Sequence, residues 1–135
     1  MYSKSKLIID VLMIIGMCIS MSFHLFGVGT HKLIALVTFI LFIVHNILNR
    51  RWYKGAFKGE YMLFRIIHVI TNLVVMIAVL GITVSGVLLS KEMANGFVDT
   101  MTIGRILHLV SSYTACGGIA LHIGFHLKGK KNDDR

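Results

Sequence analysis

Long uninterrupted apolar blocks, with the charges pushed to their ends, decide what this chain can become. A soluble helix keeps a polar face for water, and these blocks have none. Each is close to the roughly 20 residues needed to cross the hydrocarbon core of a bilayer. Four such spans fit, from about 7 to 27, 31 to 48, 61 to 89 and 103 to 127 in a chain of 135 residues. That length is natural for one domain, so the expected fold class is all-α, a single integral membrane four-helix bundle over 1–135.

The connectors differ in charge, and the difference orients the spans. The segment from Asn49 to Arg65 carries Arg50, Arg51, Lys54, Lys58 and Arg65 against Glu60. The N-terminus carries Lys4 and Lys6, and the tail carries Lys128, Lys130, Lys131 and Arg135 against Asp133 and Asp134. The other two connectors are nearly neutral, one holding Lys32 and the other Lys91 and Arg105 against Glu92 and Asp99. Basic segments stay on the cytoplasmic side, which predicts both termini in the cytoplasm of a multi-pass membrane protein. The net charge of +8 is therefore a topology signal and a source of contacts with membrane lipid, not a nucleic-acid footprint. The first block follows Lys4 and Lys6 as a signal peptide would. It is long and is followed by no small-x-small cleavage site, so a retained helix is expected.

Two cysteines, Cys18 and Cys116, lie inside apolar blocks and form no CxxC pair. They read as small packing residues. Asp10, near the start of the first span, is expected to pair with Lys6 one turn away, with a proton-relay role as the alternative. Gly27-Val28-Gly29 is expected to break the first helix from the second. Gly81, Gly86, Gly117 and Gly118 fall inside helices, where small residues allow close approach or leave room for a flat cofactor.

The histidines carry the chemical signal. There are seven, and ionisable groups inside a bilayer are costly and tend to mark function. His31 and His45 are fourteen residues apart in the second span, and His108 and His122 are fourteen apart in the fourth. That spacing returns to nearly the same face of a helix after about 21 Å of rise. The topology makes the two spans parallel, so His31 matches His108 in depth near the outer surface and His45 matches His122 near the inner one. Each matched pair has the makings of a bis-histidine iron site, which fills both axial positions of a haem and suits electron transfer. Two haems b, held between the second and fourth helices, are the expectation.

Small residues lie along both faces, Ala35 and Thr38 in one, Ser112 and Ala115 in the other, interrupted by Phe42 and Ile119. Lys32 and Arg105 near the outer pair, and Arg50, Arg51 and Lys128 near the inner pair, are candidate propionate contacts. His126, one turn past His122, is the alternative ligand, although it lies eighteen residues from His108 and breaks the match. His24 and His68 fall at opposite depths and read as interfacial or hydrogen-bonding residues, with a quinone or proton-transfer role as the lesser reading.

The stretch His45-Asn46-Ile47-Leu48-Asn49-Arg50-Arg51-Trp52-Tyr53-Lys54-Gly55, together with Arg105-Ile106-Leu107-His108 and Leu121-His122-Ile123-Gly124-Phe125-His126, resembles the bacterial flavinylation-associated cytochrome family. These are small four-helix membrane proteins laid out like cytochrome b and ferric reductase membrane domains. The resemblance covers nearly the whole chain. It departs at Thr114, Leu127 and His68, where the family carries an aromatic, a tryptophan and an amide. It implies haem b held by His31, His45, His108 and His122. It also implies electron transfer across the membrane alongside proteins with covalently bound flavin. Membrane quinol or a cytoplasmic reductase would then be the donor and an extracytoplasmic flavoprotein the acceptor. No acid-base constellation marks an independent enzyme, although ferric reduction at an exposed outer haem is a further option. The rival from another class is a non-haem membrane module, such as a metal transporter or a partner subunit with histidines at helix contacts.

Overall fold

Each apolar block forms helix in the computed structural model, which describes residues 3–56, 58, 63–95 and 98–133, and only the backbone at 91–95, 98–100 and 129–133. The described elements are α1 (Lys4–Met21), α2 (Phe23–Leu48), α3 (Arg50–Ala56), α4 (Leu63–Asn95) and α5 (Val98–Asp133). The expected start of the third span at Tyr61, the ends of the tail and the side chains of Lys91, Glu92 and Asp99 lie outside what is described. The chain divides into two compact units, Met1–Gly59 and Glu60–Arg135. Among the described residues, three helical stretches are long and apolar enough to cross a membrane: Phe23–Leu48, Leu63–Ser90 and Met101–Lys128. This is a membrane protein by that measure. α1 has the length, at 18 residues, but carries Lys4, Lys6 and Asp10.

In the first unit, α1 and α2 form an antiparallel hairpin. Contacts pair Ser20 with His31, Asp10 with His45 and Lys6 with Asn49, each step back along α1 matching a step forward along α2. The turn comes earlier than Gly27. Ser22 closes α1 because its backbone N–H donates to the carbonyls of Cys18 and Ile19, and its hydroxyl donates to Cys18 as well. The helix restarts at Phe23 and is broken again at Gly27, whose φ of 79° and ψ of 168° suit only glycine. His24 therefore lies in the first turn of α2, ahead of the Gly27 kink, and not on the first helix.

The basic connector after His45 is not a plain loop, because α3 occupies Arg50–Ala56. Nothing between Asn49 and Gly55 breaks a helix. Asn49 ends α2, its N–H donating to the His45 carbonyl at 3.0 Å, and its own carbonyl accepts from Trp52 at 2.9 Å. Tyr53 ties α3 back to α2 by donating its hydroxyl to Asn46 Oδ1. Burial pushes that hydroxyl above the ordinary tyrosine pKa. Arg50, Arg51 and Lys54 beside Trp52 and Tyr53 have the mixed basic and aromatic character of a segment at a membrane surface.

In the second unit, α4 and α5 form another antiparallel hairpin, and its seam has a period of seven residues. Along α4 the buried positions are Thr71, Ala78 and Ser85; along α5 they are Gly104, Ser111 and Gly118, with His108, Ala115 and His122 as a parallel row spaced by seven. A seven-residue repeat is the packing period of left-handed helix pairs. Small side chains at these positions bring the backbones close. A methyl group placed on Gly81 would stand 2.5 Å from Ser111 Oγ, and one on Gly118 would stand 2.5 Å from Val75 Cγ2. Cys18 and Cys116 are unpaired and point outward from their helices, so packing inside a unit is not their role.

Three glycine substitutions test this arrangement. Gly27→Ala forces a side chain into a glycine-only conformation and should cost about 1–3 kcal/mol. Gly118→Ala overpacks the seam and should cost a similar amount, about 1–3 kcal/mol. Gly117→Ala, which meets nothing within 4 Å, should be neutral or slightly stabilising. Thermal unfolding in detergent reads all three.

Candidate metal and cofactor histidines

The fourteen-residue spacing is also two heptads, and the structure uses it that way. His31 and His45 flank Thr38, which lies against Gly16 of α1. His108 and His122 flank Ala115, which is 0% exposed. All four predicted ligands thus belong to rows that lie along the partner helix of their own hairpin.

His31 sits near the turn of the first hairpin. Its Nδ1 is 2.9 Å from the carbonyl oxygen of Ser20. A carbonyl only accepts, so Nδ1 carries the hydrogen and Nε2 the lone pair. Phe23 meets the same ring edge-on, with centroids 6.0 Å apart. At the other end of the hairpin, His45 Nδ1 donates to Asp10 Oδ1 at 2.6 Å, and both side chains are only 22% exposed. Lys6 Nζ donates to Asn49 Oδ1 at 3.1 Å, and Asn49 Nδ2 donates to the His45 carbonyl at 2.9 Å. The expected pairing of Asp10 with Lys6 is thus replaced, at this oxygen, by a carboxylate–histidine contact. Asp10 and His45 are both half-buried polar groups on apolar helices, and each lowers the cost of the other's burial.

In the second hairpin, His108 lies against Ser85 and Gly86. Ser85 Oγ is 2.6 Å from the Gly81 carbonyl and 3.0 Å from His108 Nδ1. The hydroxyl has one hydrogen, and the shorter contact to a pure acceptor takes it. Its oxygen then accepts from His108 Nδ1–H, again leaving the lone pair on Nε2. Ser85 is fully buried, so the contact is fixed within the seam.

His122 has a different environment. α4 brings His68 alongside it, with ring centroids 5.3 Å apart. His126 is 4.7 Å from His122 and 5.6 Å from His68 by the same measure. One ligand nitrogen from each of the three lies within 4.8 Å of the others. His68 and His122 are half-buried and His126 is exposed. Phe125 flanks His68 at 6.0 Å, and Lys128 reaches over the ring of Phe64 at 4.8 Å.

Reading His68 as a separate interfacial residue missed this grouping. The signal was available, because antiparallel pairing of the third and fourth spans sets residue 68 opposite residues 122–126. The roles of Ser20, Asp10 and Ser85 were also missed. Of these, a carboxylate inside an apolar helix was the one that could have been suspected. His24 stacks on Phe23 at 4.1 Å and joins none of these groups among the described residues.

No protein-family model, no curated protein and no solved structure matches this chain.

The contact at Asp10 carries a stability test. Asp10→Ala leaves His45 Nδ1–H without its carboxylate in a low-dielectric setting and should cost about 1–3 kcal/mol. His24→Ala should stay within about 0.5 kcal/mol of the parent. Parallel thermal melts in one detergent compare them.

Proposed function

We propose that this chain is a membrane-embedded b-type cytochrome that carries electrons across the bilayer. His31 and His108 would be the axial ligands at one level and His45 and His122 at the other, with His126 as the alternative to His122. The observation that carries the reading is the anchoring of three of these four rings. His31, His45 and His108 each donate from Nδ1 to an oxygen of the partner helix in their own hairpin. Ligating histidines commonly donate their second ring nitrogen in this way, which fixes the tautomer with Nε2 basic and orients the ring. A purely structural histidine does not require the same nitrogen to be committed each time.

Haem, when bound, supplies one-electron exchange at iron. The chain's contribution is to hold the imidazoles, set their basicity and keep water out. The three anchors differ in strength: a carboxylate at His45, a carbonyl at His31 and a hydroxyl at His108. A carboxylate partner raises ligand basicity most, so the two levels are not electronically equivalent. In this reading α1 is a fourth span, its Asp10 and Lys6 made tolerable in the membrane by His45 and Asn49. The positive-inside bias puts both termini in the cytoplasm. Membrane quinol or a cytoplasmic reductase is the donor class, and an extracytoplasmic flavoprotein is the acceptor class that the flavinylation-associated resemblance suggests.

A second reading has an observation in its favour. The histidine rows coincide with the helix-packing seams, as they would in a non-haem membrane module whose histidines stabilise helix contacts. A mutant series separates the two. Protein from haem-replete cells should show a Soret band and two haems per chain by pyridine haemochrome. His31→Ala or His108→Ala should each remove one haem, His45→Ala or His122→Ala the other, and His24→Ala neither. Absence of the Soret band would leave the non-haem reading. Loss of a haem with His126→Ala but not with His122→Ala would move the inner ligand by one turn.

A further inference from the structure

The cytochrome reading uses one member of the His68, His122 and His126 group and gives the other two nothing to do. Three imidazoles gathered in a membrane-spanning hairpin are an expensive arrangement. Two of them, His122 and His126, are four residues apart on α5 and so lie one helical turn apart on the same face. That is the spacing with which a helix offers two imidazoles to one metal ion. His68 comes from α4 and supplies a third direction. The two helices are held in register by the small-residue seam, so the three Cα positions do not depend on a loop.

We propose that His68, His122 and His126 form a three-imidazole site for one divalent cation of the zinc class, and that this ion and a haem iron compete for His122. The donor chemistry selects the class. Neutral imidazole nitrogens suit zinc, copper, nickel and iron, whereas calcium and magnesium require oxygen. Three protein ligands leave a fourth tetrahedral position for water or an exogenous ligand. The geometry is within reach. Zinc–nitrogen bonds of about 2.0–2.1 Å place tetrahedral ligand nitrogens roughly 3.3 Å apart. The nitrogens here lie within 4.8 Å of one another, so side-chain rotation alone has to close at most about 1.5 Å. His126 is the exposed member and provides the route by which an ion enters. The site goes beyond the cytochrome reading and meets it only at His122, whose neutral imidazole has a single ring-nitrogen lone pair and so serves one metal at a time.

The test uses the full chain purified in detergent from haem-limited and haem-replete cells. Each preparation is stripped with a chelator, equilibrated with micromolar zinc, desalted and assayed for zinc by mass spectrometry and for haem by pyridine haemochrome. Haem-limited protein should hold one zinc per chain, and zinc should fall as inner-haem loading rises. His68→Ala, His68→Gln and His126→Ala should each weaken zinc binding at least about tenfold, since even losing a partner outside the ligand set costs that much. His24→Ala should leave it unchanged. Circular dichroism and gel filtration confirm the fold of each variant, and the glutamine variant covers the case in which alanine does not fold. Zinc retention equal to the parent in a folded His68 variant would overturn the site, as would haem-limited protein that takes up no zinc. One zinc together with two haems on the same chain would overturn the competition at His122. Zinc binding through His68 with no Soret band in either preparation would remove the cytochrome reading and leave the metal site standing.

Discussion

A polar side chain in the low-dielectric interior of a membrane must find its partner within the protein. That constraint organises this chain. His31 is held by the Ser20 carbonyl, His45 by Asp10, and His108 by a serine that itself donates to a carbonyl. In each case the partner lies on the adjacent helix of the same hairpin. The contacts that make the histidines tolerable are therefore the contacts that set hairpin register. A shift by one residue in either hairpin would strand an imidazole, so register and histidine chemistry are specified together.

The same economy appears in the small residues. Gly81, Ser111, Gly118 and Ala115 let α4 and α5 approach, and that approach is what carries His108 to Ser85 and His122 to His68. In the first hairpin Gly16 makes room for Thr38, midway between the two histidines. Each hairpin thus has one histidine level near its turn and another toward its open ends. The two ends differ in chemistry: an imidazole held by a neutral oxygen near each turn, and a carboxylate-bound imidazole or a three-imidazole group at the open ends.

Much of this was legible in the sequence, and the reasons are physical. Block length and charge placement gave helices over most of their observed extent, because no polar periodicity competes with them. The histidine spacing put His31 with His45, and His108 with His122, on one face of their helices as candidate haem ligands, and in the structure those faces run along the hairpin seams. What the spacing could not distinguish is its cause, since fourteen residues is a near-repeat of a helix face and also two heptads of a packing seam. The first turn was placed at Gly27 because glycine is the visible breaker, whereas Ser22 had already closed α1 through backbone and hydroxyl hydrogen bonds. α3 was missed because five basic residues between Asn49 and Arg65 read as a solvated connector, although no residue there opposes a helix until Gly55. The Asp10 partner was misjudged because one-turn proximity on a helix is a weaker constraint than a facing imidazole across a hairpin.

The central claim is that anchored imidazoles ligate haem iron in pairs. The most direct measurement is electron paramagnetic resonance of the oxidised protein, supported by near-infrared magnetic circular dichroism. Two low-spin ferric centres with bis-imidazole signatures are predicted, with the centre ligated by His45 altered by Asp10→Asn and the other unchanged. A protein without ferric haem signals, or one whose haem is high-spin or ligated by a residue other than histidine, would contradict the account.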